Sequence, residues 1–325
     1  MSAVDIGIDL GTANALVYVK DKGIVIDEPT VVAYEKDSKE IIAIGSKAKA
    51  MLGRVPSSIE VVRPLKQGVI SDYTVCEQML KAFIKKAMSR RRFFSKPRVC
   101  ICVPSGVNEV ERRAFEDTAY STGAKDVQIM EEPVAAAIGA NIDISKASGN
   151  MVVDIGGGTS DVAVISLGGI VINDSLKIAG DDFNDALIKY VRRKYNLLIG
   201  ETTAEDTKKE IGSVIQRKEP VEKEIKGRNL INGLPARVTI TSDDTAEAFS
   251  EVTAQILDTI HNVLELTPPE LLADISKKGI VLSGGGSLIY GFDKIVEHST
   301  GIPAYVVDTA LQGVALGAGK AQFLS

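Results

Sequence analysis

Residues 151–167 read MVVDIGGGTSDVAVISL, and residues 6–19 read IGIDLGTANALVYV. Each stretch is an apolar run, an Asp, a tight glycine turn with Thr, and a second apolar run. The pattern predicts a strand–turn–strand hairpin made twice, with Asp9 and Asp154 in matching places. A duplicated hairpin of this kind implies two similar half-domains facing one cleft. The turns suit phosphate. Gly11, Gly156, Gly157 and Gly158 are expected to take φ > 0 and bring the backbone close to a ligand, with N–H groups turned toward anionic oxygens. Each Asp stands where a strand passes into the turn, a position suited to a hydrated Mg²⁺.

A third glycine cluster lies in GIVLSGGGSLIYGFDKIV, residues 279–296. Here an apolar strand runs into Ser283–Ser287 and then a helical pattern. A strand, a glycine turn and a helix N-terminus favour the adenosine and phosphate end of a nucleotide. Neither GxxxxGK[ST] nor a GxGxxG opening a βαβ unit is present. A nucleotide is therefore held by neither of the two commonest devices.

The chain has 325 residues, of which 45% are hydrophobic, enough for two domains with a sizeable core. A formal charge of −5 argues against general nucleic-acid binding. Apolar runs are too short for a membrane-spanning helix, and no secretory leader is read at the N-terminus. Cys76, Cys100 and Cys102 form no CxxC pair. They are expected as buried small hydrophobes in a reducing cytosol.

Strands and helices alternate, as in α/β folds. Strands are expected at 4–10, 14–20, 24–26, 30–35, 41–44, 98–103, 151–155, 161–166, 170–177 and 279–283. Helices are expected at 74–88, at 109–121 behind an Asn108–Glu111 capping box, after Glu132-Pro133, and from Gly180 to Tyr195. Further helices are expected at 204–216, capped by Thr202 or Thr203, and from Thr245 to about Leu266, where Thr267-Pro268-Pro269 breaks the run.

The chain resembles the superfamily of actin, sugar-kinase and heat-shock-chaperone ATPases, and within it the bacterial actin-like cell-shape proteins, the MreB family. The resemblance covers nearly the whole chain. It is carried by DIGIDLGTANALVYV, GIVIDEPTVVA, RPLKQGVISDY, MEEPVAAAIGA, GNMVVDIGGGTSDVAVISLGG, TPPELLADI and GIVLSGGGSLIYG, in that order. It implies an actin-like ATPase fold, with two RNase H-like halves flanking a nucleotide cleft. The halves fall at about 1–147 and 148–325, with small inserted subdomains near 32–75 and 182–242. The last helix is expected to pack back on the first half, with Gly317 and Gly319 in a hinge.

The implied ligands are ATP or ADP with Mg²⁺. Asp9 and Asp154 are the metal candidates, through water. Thr12, Ala13 and Asn14 present donors to the β- and γ-phosphates, and Gly156, Gly157, Gly158 and Thr159 form the second phosphate hairpin. Glu132 precedes Pro133 at a helix start, where the helix dipole favours a charged carboxylate. The resemblance makes Glu132 the residue that orients the attacking water, with Thr159 helping and Asp154 beside them. Gly284, Gly285, Gly286, Ser287 and Leu288 are expected on the base and ribose. Glu205 and Lys208 share one helix face, on a helix that in the family reaches the ribose and purine. One departure stands out: Ser160-Asp161 occupies the place where many family members have Thr-Glu.

The implied activity is slow ATP hydrolysis that serves assembly into filaments directing cell shape and cell-wall elongation. A sugar-type kinase is the alternative, disfavoured because no substrate-pocket insert is visible. The implied partners are further copies of the chain, membrane-bound cell-elongation proteins and an anionic inner membrane surface. For the last, residues 89–97 read SRRRFFSKP. Phe93 and Phe94 would insert, with Arg90, Arg91, Arg92 and Lys96 meeting headgroups. This places the protein in the cytoplasm, peripheral to the plasma membrane.

Overall fold

A computed structural model describes residues 5–88 and 96–321. The fold is actin-like: its two principal sheets have the same plan. In the first, Asp5–Leu10 pairs antiparallel with Asn14–Val19, which pairs with Gly23–Pro29. On the other side, Asp5–Leu10 runs parallel to Arg98–Val103, and that strand to Asp126–Glu131. In the second, Asn150–Ile155, Ser160–Ser166 and Gly169–Leu176 repeat the antiparallel meander. Ile280–Ser283 and Ala304–Val306 add the parallel strands. Parallel neighbours need helical crossovers, supplied by Tyr73–Ala87 and Glu109–Ser121 in one half and by Ser242–Leu266, Pro269–Lys278 and Phe292–Thr300 in the other.

In both sheets the central strand has an antiparallel neighbour on one side and a parallel one on the other. Asp9 and Asp154 sit near the carboxyl ends of these two strands, where the direction of the connection switches. Ligands of open α/β sheets gather at such points.

Smaller three-stranded sheets sit on each half. Ile41–Ile44, Val32–Glu35 and Ile59–Val62 form one; Leu197–Leu198, Glu222–Asn229 and Pro235–Thr241 form the other, beside the helix Glu201–Ile211.

Each half has its own core. A third apolar layer, containing Cys100, Cys102, Ala135, Ala137, Val152, Ala163, Val314 and Ala318, joins them. It is built from the helices Glu132–Gly139 and Gly313–Ala321 packed between the two sheets. Small residues let these backbones touch. A methyl group added at Gly139 would overlap the carbonyl of Gly313, and one at Gly317 that of Ala135. A Cβ at Gly7 would lie 2.5 Å from the Gly319 nitrogen, so the last helix also lies on the first strand. All three cysteines are free and buried. Among the described residues no helix is long and apolar enough to cross a membrane.

Several boundaries differ from the sequence reading. The helix expected at 204–216 is Glu201–Ile211, and Gly200, not a Thr, is its N-cap. It stops because the chain turns extended at Gly212, sending Ser213 to donate to the Thr245 hydroxyl at 3.1 Å. The long helix begins at Ser242. Thr241 and Asp244 form a reciprocal capping box there, leaving Thr245 inside the first turn. After Ser283 comes a short 3₁₀ turn, Gly285–Leu288, and the α-helix starts only at Phe292. The strands Ile59–Val62, Asp126–Glu131, Glu222–Asn229, Pro235–Thr241 and Ala304–Val306 lie outside the expected set. They carry many half-exposed or exposed residues, which blurs their apolar signal.

Candidate functional site

A cleft of about 620 Å³ opens between the halves, within the range of small-ligand sites. Asp9, Thr12, Ala13, Asn14, Glu132, Asp154, Gly156, Gly157, Gly158 and Thr159 line it. So do Glu205, Lys208, Gly284, Gly285, Gly286 and Leu288. Ser287 does not: it is buried, and its hydroxyl donates to the Gly284 carbonyl at 2.7 Å. Phe93, Phe94, Arg90, Arg91 and Arg92 lie outside the described residues; Lys96 is exposed.

The two glycine hairpins are tight for a different reason than their glycines suggest. None of Gly11, Gly156, Gly157 and Gly158 has positive φ. What they supply is space. A Cβ at Gly157 would meet that of Ala13 at 2.6 Å, and one at Gly158 would meet Thr12 Oγ1 at 2.5 Å. The two turns thus interdigitate across the cleft floor, and any side chain would force them apart. Gly284 does use the left-handed region, with φ of 78°, turning against the backbone of Ile155.

The floor is rich in buried carboxylates. Asp9 is pushed up to about 7 by burial, then by the charges of Asp154 and Asp27. Asp154 also reaches about 7 through burial and nearby Asp161, with Ser283 pulling the other way. Glu132 lies well above its ordinary range, through burial and then Asp161, Asp9 and Asp154. This reverses the expectation that the helix start would favour its charge. Glu132 opens a helix of only eight residues, and the partial charge of that helix end is outweighed by desolvation and three neighbouring carboxylates.

Such a floor repels anions unless a cation joins them. Asp154 Oδ1, shielded from solvent, completes no hydrogen bond. Among the described residues no set of three His, Cys, Asp or Glu side chains is arranged to hold a metal alone. The donor set therefore fits a hard cation that keeps its waters and shares a ligand's oxygens.

The walls are cross-linked by Glu205 and Lys208, which the sequence points to, and by partners that it does not mark. Glu205 pairs with Lys49 of the first half at 2.7 Å and with Lys209 at 2.6 Å. Burial opposes its charge, but these two ammonium groups hold it at about 2. Lys208 does not pair with Glu205; it donates to the Gly180 carbonyl at 2.6 Å. Burial lowers it to about 8, against the pull of Asp181 and Glu205. Arg63 bridges from the first half to Asp181 at 3.2 Å and to Glu201. Arg217 lies 4.0 Å over the Tyr290 ring, a flat platform among the cleft residues. Gly68 N donates to Thr12 Oγ1 at 3.0 Å, roofing the first hairpin. Except for Glu205 and Lys209, one helical turn apart, these partners are far apart in the chain, so no local signal marks them.

A family model described as MreB/Mbl protein matches residues 3–323. The chain is 50% identical to the cell shape-determining protein MreB of Escherichia coli (strain K12), covering 99% of this chain and 94% of that protein. It is 47% identical to the cell shape-determining protein Mbl of Bacillus cereus, covering 98% and 96%. MreB5 of Spiroplasma citri, solved bound to ADP, superposes with a TM-score of 0.92 at 39% identity, over 97% of this chain and 95% of that one. The MamK double helical filament superposes at 0.85 with 22% identity, over 99% of both chains, a likeness of fold. Two hairpins of matched design, closing on one carboxylate-floored cleft within this actin-like frame, belong to a member of the MreB/Mbl family.

Proposed function

We propose that the protein binds ATP with Mg²⁺ in the cleft, hydrolyses it slowly, and uses the nucleotide state to govern assembly into filaments that determine cell shape. The observation that carries this reading is the pair of interlocked hairpins, each bringing an Asp and a glycine turn to the lining of one cleft. The ADP- and AMPPNP-bound forms of Spiroplasma citri MreB5 support nucleotide as the ligand.

Thr12, Ala13 and Asn14 grip the phosphates from one side, and Gly156, Gly157, Gly158 and Thr159 from the other. The Arg217–Tyr290 platform, Gly284–Gly286 and Leu288 receive the nucleoside, with Glu205 and Lys208 on the ribose and purine edge. When bound between Asp9, Asp154 and the phosphates, Mg²⁺ would neutralise charge and stabilise the transferring phosphoryl group. Glu132 and Thr159 then orient the water. Burial and the neighbouring carboxylates raise the affinity of Glu132 for a proton, the property that a residue drawing on a water's proton uses.

Assembly is proposed as a head-to-tail repeat that does not close, which generates a filament. The angle between halves would tune the fit of each contact. The paired aromatics Phe93 and Phe94, with Arg90, Arg91, Arg92 and Lys96, would hold the polymer to anionic lipid on the cytoplasmic side, where weak single contacts add by avidity. The test is sedimentation with MgATP, with and without anionic liposomes. The parent is expected to pellet with MgATP and to float with liposomes, and a Phe93→Ser, Phe94→Ser variant to pellet without floating. A protein that stays monomeric at micromolar concentration with MgATP and lipid overturns the filament reading; a double variant that floats like the parent overturns the membrane reading.

The floor also sets a pH response. Asp9 and Asp154 each rise from about 4 when unfolded to about 7 when folded. The ligand-free protein therefore loses stability as pH rises from about 4 through 7, because ionised carboxylates are then buried together. Melting curves in EDTA should fall between about pH 4.5 and 7 and level off above that, and the added stability from Mg²⁺ with ADP should grow over the same range. Asp154→Asn should flatten the EDTA series and shrink the Mg²⁺ effect. An EDTA series that rises across this range would refute the carboxylate floor as described.

A further inference from the structure

Asp161 heads the return strand Ser160–Ser166 of the second half and is fully buried. Its Oδ1 accepts two hydrogen bonds from the first half: the backbone N–H and the hydroxyl of Ser105, both at 2.7 Å. Ser105 lies just beyond the strand Arg98–Val103, beside the strand that runs into Glu132. Around this contact the halves are close-fitted. A Cβ on Gly106 would stand 2.6 Å from Ser175, and Asn173 Nδ2 donates to the Ser105 carbonyl at 3.4 Å.

The second oxygen, Oδ2, is shielded from water and completes no hydrogen bond of normal geometry. Burial raises the affinity of Asp161 for a proton, and the donors of Ser105, then the hydroxyls of Ser175 and Thr159, act in the opposite direction. Asp161 is also the foremost charged neighbour of Glu132. It thus acts on the charge of Glu132 and follows Thr159 by two residues, while Ser105 holds it from the opposite half. A buried carboxylate oxygen left without a donor is costly. Rotation of a neighbouring hydroxyl, Ser175 or Thr159, supplies one.

We propose that Asp161, clamped by Ser105 across the boundary between the halves, is a positioning residue for ATP hydrolysis that draws the Thr159 hydroxyl proton toward Oδ2 and so turns the Thr159 oxygen to accept from the attacking water. The short Asp side chain is met here by two donors from Ser105. Separation of the halves breaks the clamp, so turnover depends on closure of the cleft. This rests on the assignment of Glu132 and Thr159 to the water.

The test measures single-turnover phosphate release, MgATP affinity and melting temperature for the parent, Ser105→Ala, Asp161→Asn and the double variant. Ser105→Ala should slow the chemical step about tenfold, the factor expected for one hydrogen bond to a charged group. Asp161→Asn should slow it further, with affinity within about threefold of the parent in both. The double variant should be no slower than Asp161→Asn, because both act through one contact. Unchanged rates in Ser105→Ala and Asp161→Asn, or weakened affinity at an unchanged rate, overturn the proposal while leaving the ATPase reading intact. A parent that binds MgATP without turning it over overturns that reading, and the proposal with it. Ser105→Ala retains the backbone donor and the buried carboxylate, so it reports even if Asp161→Asn does not fold.

Discussion

Replacement of Glu132 by Gln is expected to slow ATP hydrolysis by about 100-fold or more in single turnover, with MgATP affinity changed less than about threefold. Glu132 is buried at the cleft floor and nearly isosteric with Gln, so the substitution leaves packing in place and removes only the ability to take a proton. Its pKa lies well above the ordinary range, because burial and three nearby carboxylates disfavour its charge. Gln cannot ionise, so the variant should also melt at a higher temperature than the parent in EDTA near neutral pH. The two effects together separate a functional residue from a structural one: stability rises while turnover falls, as expected where a site stores unfavourable charge for its chemistry. A variant that hydrolyses at the parent rate removes Glu132 from the role of orienting water. One that loses affinity in proportion to rate assigns it to binding instead.

The hairpins were legible because their information is local. An apolar run, an Asp and a glycine turn fix strand direction and the place of the carboxylate within a dozen residues. The physical use of the glycines was not legible. A glycine that permits positive φ and a glycine that makes room for a facing turn look alike in sequence, and only the apposition of Gly157 with Ala13 and of Gly158 with Thr12 distinguishes them. The wall residues were hidden for a similar reason. Lys49, Arg63 and Arg217 read as ordinary surface cations until folding brings Glu205, Asp181 and Tyr290 to them. Charge state was the least legible of all. The helix position of Glu132 favours ionisation, whereas desolvation and the converging carboxylates oppose it, and both depend on the assembled cleft. The capping box Thr241–Asp244, by contrast, stands in the sequence as T-S-D-D, just ahead of the point where the apolar periodicity becomes clear.

Gly317→Ala is expected to lower the melting temperature by several degrees and to weaken MgATP binding at least tenfold, although Gly317 does not line the cleft. The helices Glu132–Gly139 and Gly313–Ala321 cross with their backbones in contact, and a methyl group at Gly317 has no room beside the Ala135 carbonyl. The obstacle is backbone, so no side chain can rotate away, and overpacking of this kind costs roughly 1–3 kcal/mol or more. Relief requires the helices to move apart. They carry the sheets of the two halves, and Glu132 stands at the start of one of them, so separation also draws the two phosphate hairpins out of register. That is why the loss should appear in affinity as well as in stability. Gly169→Ala is the matched control: an added Cβ there meets nothing within 4 Å, and it should leave both quantities near those of the parent. Should Gly317→Ala bind MgATP as tightly as the parent, with only its melting temperature reduced, the helix crossing would be a packing feature without control over the cleft. Should it match the parent in both, the close approach of the two helices would itself be refuted.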